Sequence, residues 1–139
     1  MELTTYITFK GNAGEAIEFY KNALGADLKV TKVSETPMAE QMPDMKDKIM
    51  HSELRKNAKL LLFASDMFGE GEPNFGNVLG VCLTCDSEEE ITTAFKNISE
   101  GANVTHELKT EFWGDTYGDL IDKFGVRWMF NYSKPKENA

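Results

Sequence analysis

Nowhere does the chain approach the roughly 20 consecutive apolar residues that a membrane-spanning helix requires. Its opening, MELTTYITFK, also lacks the basic-then-apolar layout of a signal peptide. A cytoplasmic protein with no membrane partner is the expectation. Positive charge is in deficit, with 15 Lys and Arg against 23 Asp and Glu and a formal net charge of -8. The cations are scattered, so no stripe exists that could release counterions from a polyanion, and nucleic acid is not an expected partner. G-x-S-x-G nucleophile elbows and phosphate-cradling glycine loops are missing, which disfavours hydrolase and nucleotide-binding readings.

Cysteine and histidine are scarce. The two cysteines, Cys82 and Cys85, form a C-x-x-C in VCLTC. That spacing can mark a redox dithiol or half a zinc site, but residues three apart on a strand point to opposite faces and no second pair completes a metal set. Two ordinary strand cysteines are expected. The only imidazoles are His51, beside Glu53, and His106, in a polar segment that reads as surface.

What the chain does contain is enough to fold. Its 139 residues, 41% hydrophobic and 11% aromatic, suit one globular domain. Phe19 to Asp27, FYKNALGAD, is echoed by Ala94 to Asn103 at an offset of 75, then 76 after one insertion. Each copy follows a short β-rich run, Tyr6 to Phe9 and Val81 to Cys85, and precedes further strand-like segments, so the chain reads as duplicated. Ala16, Ile17, Tyr20 and Leu24 recur at helical spacing before Gly25, and Ser87 with Glu90 forms an S-x-x-E capping box ahead of Ile91, Ala94, Phe95 and Ile98. Strands are expected near Asp27 to Val33, Lys48 to Lys56 and Lys59 to Ser65, and again near Asn103 to Lys109, Thr116 to Asp122 and Val126 to Tyr132. Leu54 to Phe63 and Ile121 to Phe130 align at an offset of 67.

The expected fold class is α+β, with two β-α-β-β-β modules side by side, about 1–66 and 78–133, joined by a linker at 67–77 within one domain. Helices on one sheet face leave a concave face for a ligand. The connections Ser34 to Asp47 and Asp66 to Asn77 read as loops.

Alternation in KIMHSELRK puts Met50, Ser52 and Leu54 on the helix side and Ile49, His51 and Glu53 on the other. An imidazole held by a carboxylate could act as general base, and the same pair could equally be a structural hydrogen bond. Phe112, Trp113 and Tyr117 in FWGDTYGDL could grip a planar or apolar ligand, seal a dimer seam or cap the core. Ser65 and Asp66 end a strand beside a long loop, where they bind a polar ligand group or start a turn.

Four segments carry a family resemblance: GNAGEAIEFYKNALGAD at Gly11 to Asp27, PDMKDKIMHSEL at Pro43 to Leu54, LLLFASD at Leu60 to Asp66, and FWGDTYGDLIDKFGVRWM at Phe112 to Met129. Together they resemble the PhnB-like branch of the vicinal oxygen chelate superfamily, which contains glyoxalases, bleomycin-resistance proteins and extradiol dioxygenases. The resemblance implies the duplicated fold and a homodimer, for which the Met- and aromatic-bearing loops are suited. Some members carry a demethylubiquinone methyltransferase-like label, implying methyl transfer from S-adenosylmethionine. This sequence has no glycine-rich strand-to-helix turn with an acidic residue ending the next strand, the usual cradle for such a cofactor.

Superfamily enzymes hold a divalent metal with His, Glu or Gln from the first and last strand of each half. The corresponding runs here, Thr4 to Thr8, Leu60 to Phe63, Gly80 to Thr84 and Trp128 to Phe130, supply none of these. The sequence thus predicts a metal-free, cofactor-free module that binds a small organic molecule, with His51, Glu53, Ser65, Asp66, Phe112, Trp113 and Tyr117 as candidate ligand contacts. The alternatives are an enzyme of lyase, isomerase or dioxygenase type, dependent on His51 or a divalent ion, with His51 and Glu53 as the catalytic candidates, and a protein-interaction module with a vestigial pocket. Ligand identity and pathway are not encoded in any readable motif.

Overall fold

Helical periodicity, turn chemistry and β-branched runs give the order β1 (Tyr6–Thr8), α1 (Ala13–Leu24), β2 (Asp27–Lys32), β3 (Ile49–Lys56), β4 (Lys59–Ser65), β5 (Val81–Thr84), α2 (Glu88–Ile98), β6 (Asn103–Thr110), β7 (Asp115–Ile121) and β8 (Arg127–Ser133) in a computed structural model that describes residues 1–135. The chain divides into two compact units, Met1–Asn74 and the remainder from Phe75. Each is a four-stranded sheet with one helix, ordered β1-β4-β3-β2 and β5-β8-β7-β6, which establishes the α+β fold. In both, the opening strand runs parallel to the closing one and the other pairings are antiparallel. The connection before β3 contains three short 3-10 turns, Val33–Glu35, Pro37–Ala39 and Pro43–Met45, where the sequence suggested plain loop.

In the first unit, Ala13, Ala16, Ile17 and Tyr20 of α1 are fully covered, as are Leu54, Leu62 and Ala64 of the sheet. Gly25 ends α1 in the left-handed conformation at φ 62°, its N–H donating to the Lys21 carbonyl. Asn12 contributes no side-chain cap at the other end. Asp66 does that work from a distance: Oδ1 accepts from the N–H groups of Gly11 and Ala13, each at 2.9 Å, and Oδ2 from Ile49 N–H, also at 2.9 Å. A buried carboxylate thus ties the helix start to the start of β3.

In the second unit the Ser87 Oγ accepts from Glu90 N–H at 3.0 Å, and the Glu90 carboxylate accepts from Asp86 N–H. The core is aromatic, with Phe95 edge-on to Phe130 at 5.2 Å and Phe130 stacked on Trp128 at 6.2 Å. Asp122 holds the β7–β8 turn, accepting from the N–H groups of Phe124 and Val126 and from Trp128 Nε1.

Two details differ from the alternation read in the sequence. The β2–β3 register shifts between Thr31 and Lys32, so Ile49 is buried against Gly14 of α1 while Met50 is half-exposed. A bulge of this kind reverses the facing of the residues before it. The repeat offset in the strands is 66 rather than 67: Leu54 pairs with Leu62 as Leu120 pairs with Trp128, and all four are buried. A one-residue slip would turn every side chain to the opposite face, so facing fixes the correspondence where residue similarity misleads.

Candidate functional site

In each unit, the sheet face away from the helix carries the polar and aromatic side chains available for chemistry. In the first unit, register places Tyr6, Phe63, Glu53 and Lys29 in one row across the sheet. His51 sits two residues before Glu53 on the same face and completes a triangle of rings with centroids 4.8 Å from Phe63 and 5.9 Å from Tyr6, while Tyr6 and Phe63 lie 5.9 Å apart. Tyr6 is 48% exposed, and His51 and Phe63 are half-buried, so the rings are reachable without unfolding. His51 Nδ1 lies 3.4 Å from the Tyr6 hydroxyl. Glu53 does not hold His51. Its Oε2 accepts from Arg55 Nε at 2.9 Å, and that bond, opposed by some desolvation and aided by the charges of Arg55, Lys29 and His51, lowers its pKa below the usual value.

The second unit repeats this row with different chemistry. Cys82, Met129, Asp119 and His106 occupy the places of Tyr6, Phe63, Glu53 and Lys29, and Tyr117 takes that of His51. Asp119 is 3% exposed. Its Oδ1 accepts from Thr105 Oγ1 and, at 2.9 Å, pairs with His106 Nδ1; its Oδ2 accepts from the Tyr117 hydroxyl at 2.8 Å. Neighbouring residues of a regular strand could not both reach one side chain. The β6–β7 register shifts on either side of His106, and this irregularity brings Thr105 and His106 together on Asp119. Burial pushes the Asp119 carboxyl upward, but the three hydrogen bonds and the His106 charge outweigh it and leave the pKa lowered. The Tyr117 phenol is pushed up to about 12, first by burial, then by its bond to Asp119 and that carboxylate's charge.

The other sequence candidates fall elsewhere. Asp66 spends both oxygens on backbone amides, and buried Ser65 accepts from Met67 N–H at 3.2 Å as the turn begins. Phe112 and Trp113 sit at the β6–β7 turn, 96% and 58% exposed, packed edge to face at 4.8 Å, with Trp113 Nε1 donating to Asp115. Cys82 is exposed and Cys85 buried. Asp119 and the role of His106 escaped the sequence reading, although Tyr117 and Asp119 show the same two-residue spacing as His51 and Glu53. The missing signal was the bulge in β6, which no residue pattern announces.

The metal centre implied by the superfamily resemblance can be tested against these strands. Their helix-free positions are Tyr6, Thr8, Phe63 and Ser65 in the first unit and Cys82, Thr84, Met129 and Asn131 in the second. A hard or borderline cation needs carboxylate or imidazole donors, which this set lacks. Among the described residues no group of three or more His, Cys, Asp and Glu converges to hold an ion. The donor set does not fit the superfamily metal.

Comparison with known proteins agrees with the geometry. Residues 1–130 match the family model described as 3-demethylubiquinone-9 3-methyltransferase. Protein YjdN of Escherichia coli (strain K12) is 30% identical, over 96% of this chain and 97% of its own. Protein PA1353 from Pseudomonas aeruginosa superposes with a TM-score of 0.82 at 31% identity, covering 97% of this chain and 99% of that one. Two further structures share the fold. A putative 3-demethylubiquinone-9 3-methyltransferase, PhnB protein, from Bacillus cereus has a TM-score of 0.75 at 23% identity, covering 96% and 100% of the two chains. A glyoxalase/bleomycin resistance protein/dioxygenase from Alicyclobacillus acidocaldarius has a TM-score of 0.57 at 17% identity, covering 96% and 93%. The chain belongs to the PhnB-like 3-demethylubiquinone-9 3-methyltransferase family and has the glyoxalase/bleomycin-resistance fold.

Proposed function

We propose that the protein binds a small organic molecule on the helix-free sheet face of its first unit, without the superfamily metal. The observation that carries this reading is the half-exposed triangle of Tyr6, His51 and Phe63. Three rings within 6 Å of one another, on a rigid sheet, offer stacking and edge contacts to a planar group at little entropic cost. Glu53, in the same row, favours a ligand with a cationic or hydrogen-bond-donating edge, tempered by Arg55 and Lys29. In this reading Tyr117 is a candidate contact of the second unit's own sheet face, and Ser65, Asp66, Phe112 and Trp113 serve turns or surfaces. The protein acts as one cytoplasmic domain with modules at about 1–66 and 78–133 and a linker at 67–77, and pairs as a homodimer.

The test is an NMR titration with a panel of planar heteroaromatic compounds, neutral and cationic. Resonances of Tyr6, His51 and Phe63 should move together, and Tyr6→Ala should weaken binding about tenfold, as loss of one stacking ring predicts. Binders that spare these residues, or an unchanged affinity in Tyr6→Ala, would remove the reading.

A second reading, a His51- or divalent-metal-dependent enzyme, draws on His51 lying two residues before Glu53 on the same strand face, where its charge helps to lower the Glu53 pKa. Metal content by mass spectrometry, on protein purified without chelators or a histidine tag, separates the two. One equivalent of a divalent ion, lost in His51→Ala, would favour the enzyme over the metal-free binder.

A further inference from the structure

If this fold performs acid–base chemistry, His51 is poorly equipped for it. Its nearest polar partner is a phenol at 3.4 Å, and the neighbouring carboxylate is engaged by Arg55. The second unit holds the better-equipped imidazole. His106 Nδ1 lies 2.9 Å from a carboxylate whose side chain is 5% exposed, while the imidazole itself is 71% exposed. A nearly buried carboxylate that accepts Nδ1–H fixes the neutral ring in the tautomer whose Nε2 carries the lone pair. The hydroxyls of Thr105 and Tyr117 anchor Asp119 from other directions, so the carboxylate cannot swing away. Two cations share this sheet face: Lys109 is the cross-strand partner of Tyr117, and Arg127 lies on β8 two residues before Met129, the partner of Asp119.

We propose that His106, positioned by Asp119, is a base that takes a proton through Nε2 from a small molecule with a weakly acidic C–H or O–H. The bond to hydrogen breaks, its electron pair stays on the substrate, and the anion left faces Arg127 and Lys109. The proton then returns from Nε2 to the product or to water, so no oxidant, reductant or metal enters the balance. His106 chemistry of this kind does not depend on the aromatic triangle.

Diethyl pyrocarbonate provides a substrate-independent probe, because the Nε2 lone pair attacks its carbonyl, an N–C bond forms, and ethanol and carbon dioxide leave. Acylation of His106 and His51 is followed residue by residue by mass spectrometry in the wild type and in Asp119→Asn. Asparagine keeps an acceptor oxygen but removes the charge. His106 should react faster than His51 and slow about tenfold in the variant, as loss of an activating partner predicts. Rates for His106 and His51 that coincide, or a His106 rate unchanged in Asp119→Asn, would overturn the proposal.

Ring ¹⁵N shifts of the wild type provide a second readout that survives misfolding of the variant. Protonated Nδ1 with a free Nε2 supports the dyad, and the opposite tautomer defeats it.

Discussion

Asp119 and Tyr117 show how one carboxylate sets the behaviour of its neighbours. The phenol, ordinarily near 10.0, is raised to about 12 by burial and by Asp119. Between those values the folded chain keeps a proton that the unfolded chain has lost. Tyr117 therefore contributes stability that is complete below pH 10 and is lost as pH rises through about 12. Asp119 works in the opposite direction: its lowered pKa contributes stability above the ordinary carboxyl value of 3.8 that is lost as pH falls through the folded value. Tyr117 is half-buried and solvent screens its charge, so the direct measurement is its ultraviolet titration. A phenolate step near pH 12 should be present in the wild type and missing in Tyr117→Phe. A wild-type spectrum in which every tyrosine has titrated by pH 11 would contradict the bond to Asp119.

At the level of elements, much was legible. Helical spacing, the Ser87 cap and Gly25 place both helices, and the β-rich run from Lys59 to Ser65 coincides with β4. Bulges were not legible, because a bulge is a mismatch between two strands and neither carries it alone. That is why Ile49 and Met50 exchange faces and why His106 reaches Asp119. For the candidate site, alternation found His51 and Glu53 on one face, but not that Arg55 takes Glu53. Two small substitutions test the element geometry in opposite directions. The β3–β4 hairpin turns at Asn57 and Ala58 with φ of 52° and 65°, a pair of left-handed positions that suit Asn-Gly better than Asn-Ala. Ala58→Gly should stabilise the protein by about 1 kcal/mol, because a Cβ is disfavoured there. A Cβ at Gly118 would stand 2.8 Å from Phe95 Cε2 and 3.1 Å from the Leu108 Cα, so Gly118→Ala should cost about 1–3 kcal/mol. Urea unfolding of both variants measures the two signs, and a neutral Gly118→Ala would mean that α2 can back away from β7.

For the whole molecule, duplication explains why the two sheets match in order while their open faces differ. The same register positions hold rings in one unit and a hydrogen-bonded acid in the other, while the helix-facing Leu54 and Leu62 of the first unit and Leu120 and Trp128 of the second are apolar and buried. Phe112, Trp113, Val78 and Leu79 are large, apolar and exposed in the second unit, the kind of surface that the proposed homodimer would cover. The two tryptophans make this measurable: Trp128 is 1% exposed and reports the core, whereas Trp113 is 58% exposed and reports its surroundings. If the β6–β7 turn lies in the dimer seam, sedimentation should give twice the 15.6 kDa chain mass. Dilution should then shift Trp113 emission to longer wavelength as the ring meets water, and Trp113→Ala should weaken association at least about tenfold, as expected for an interface tryptophan. A dimer that forms equally well in Trp113→Ala would place the seam elsewhere, and a single-chain mass at all concentrations would leave the turn free to contact a ligand or another protein.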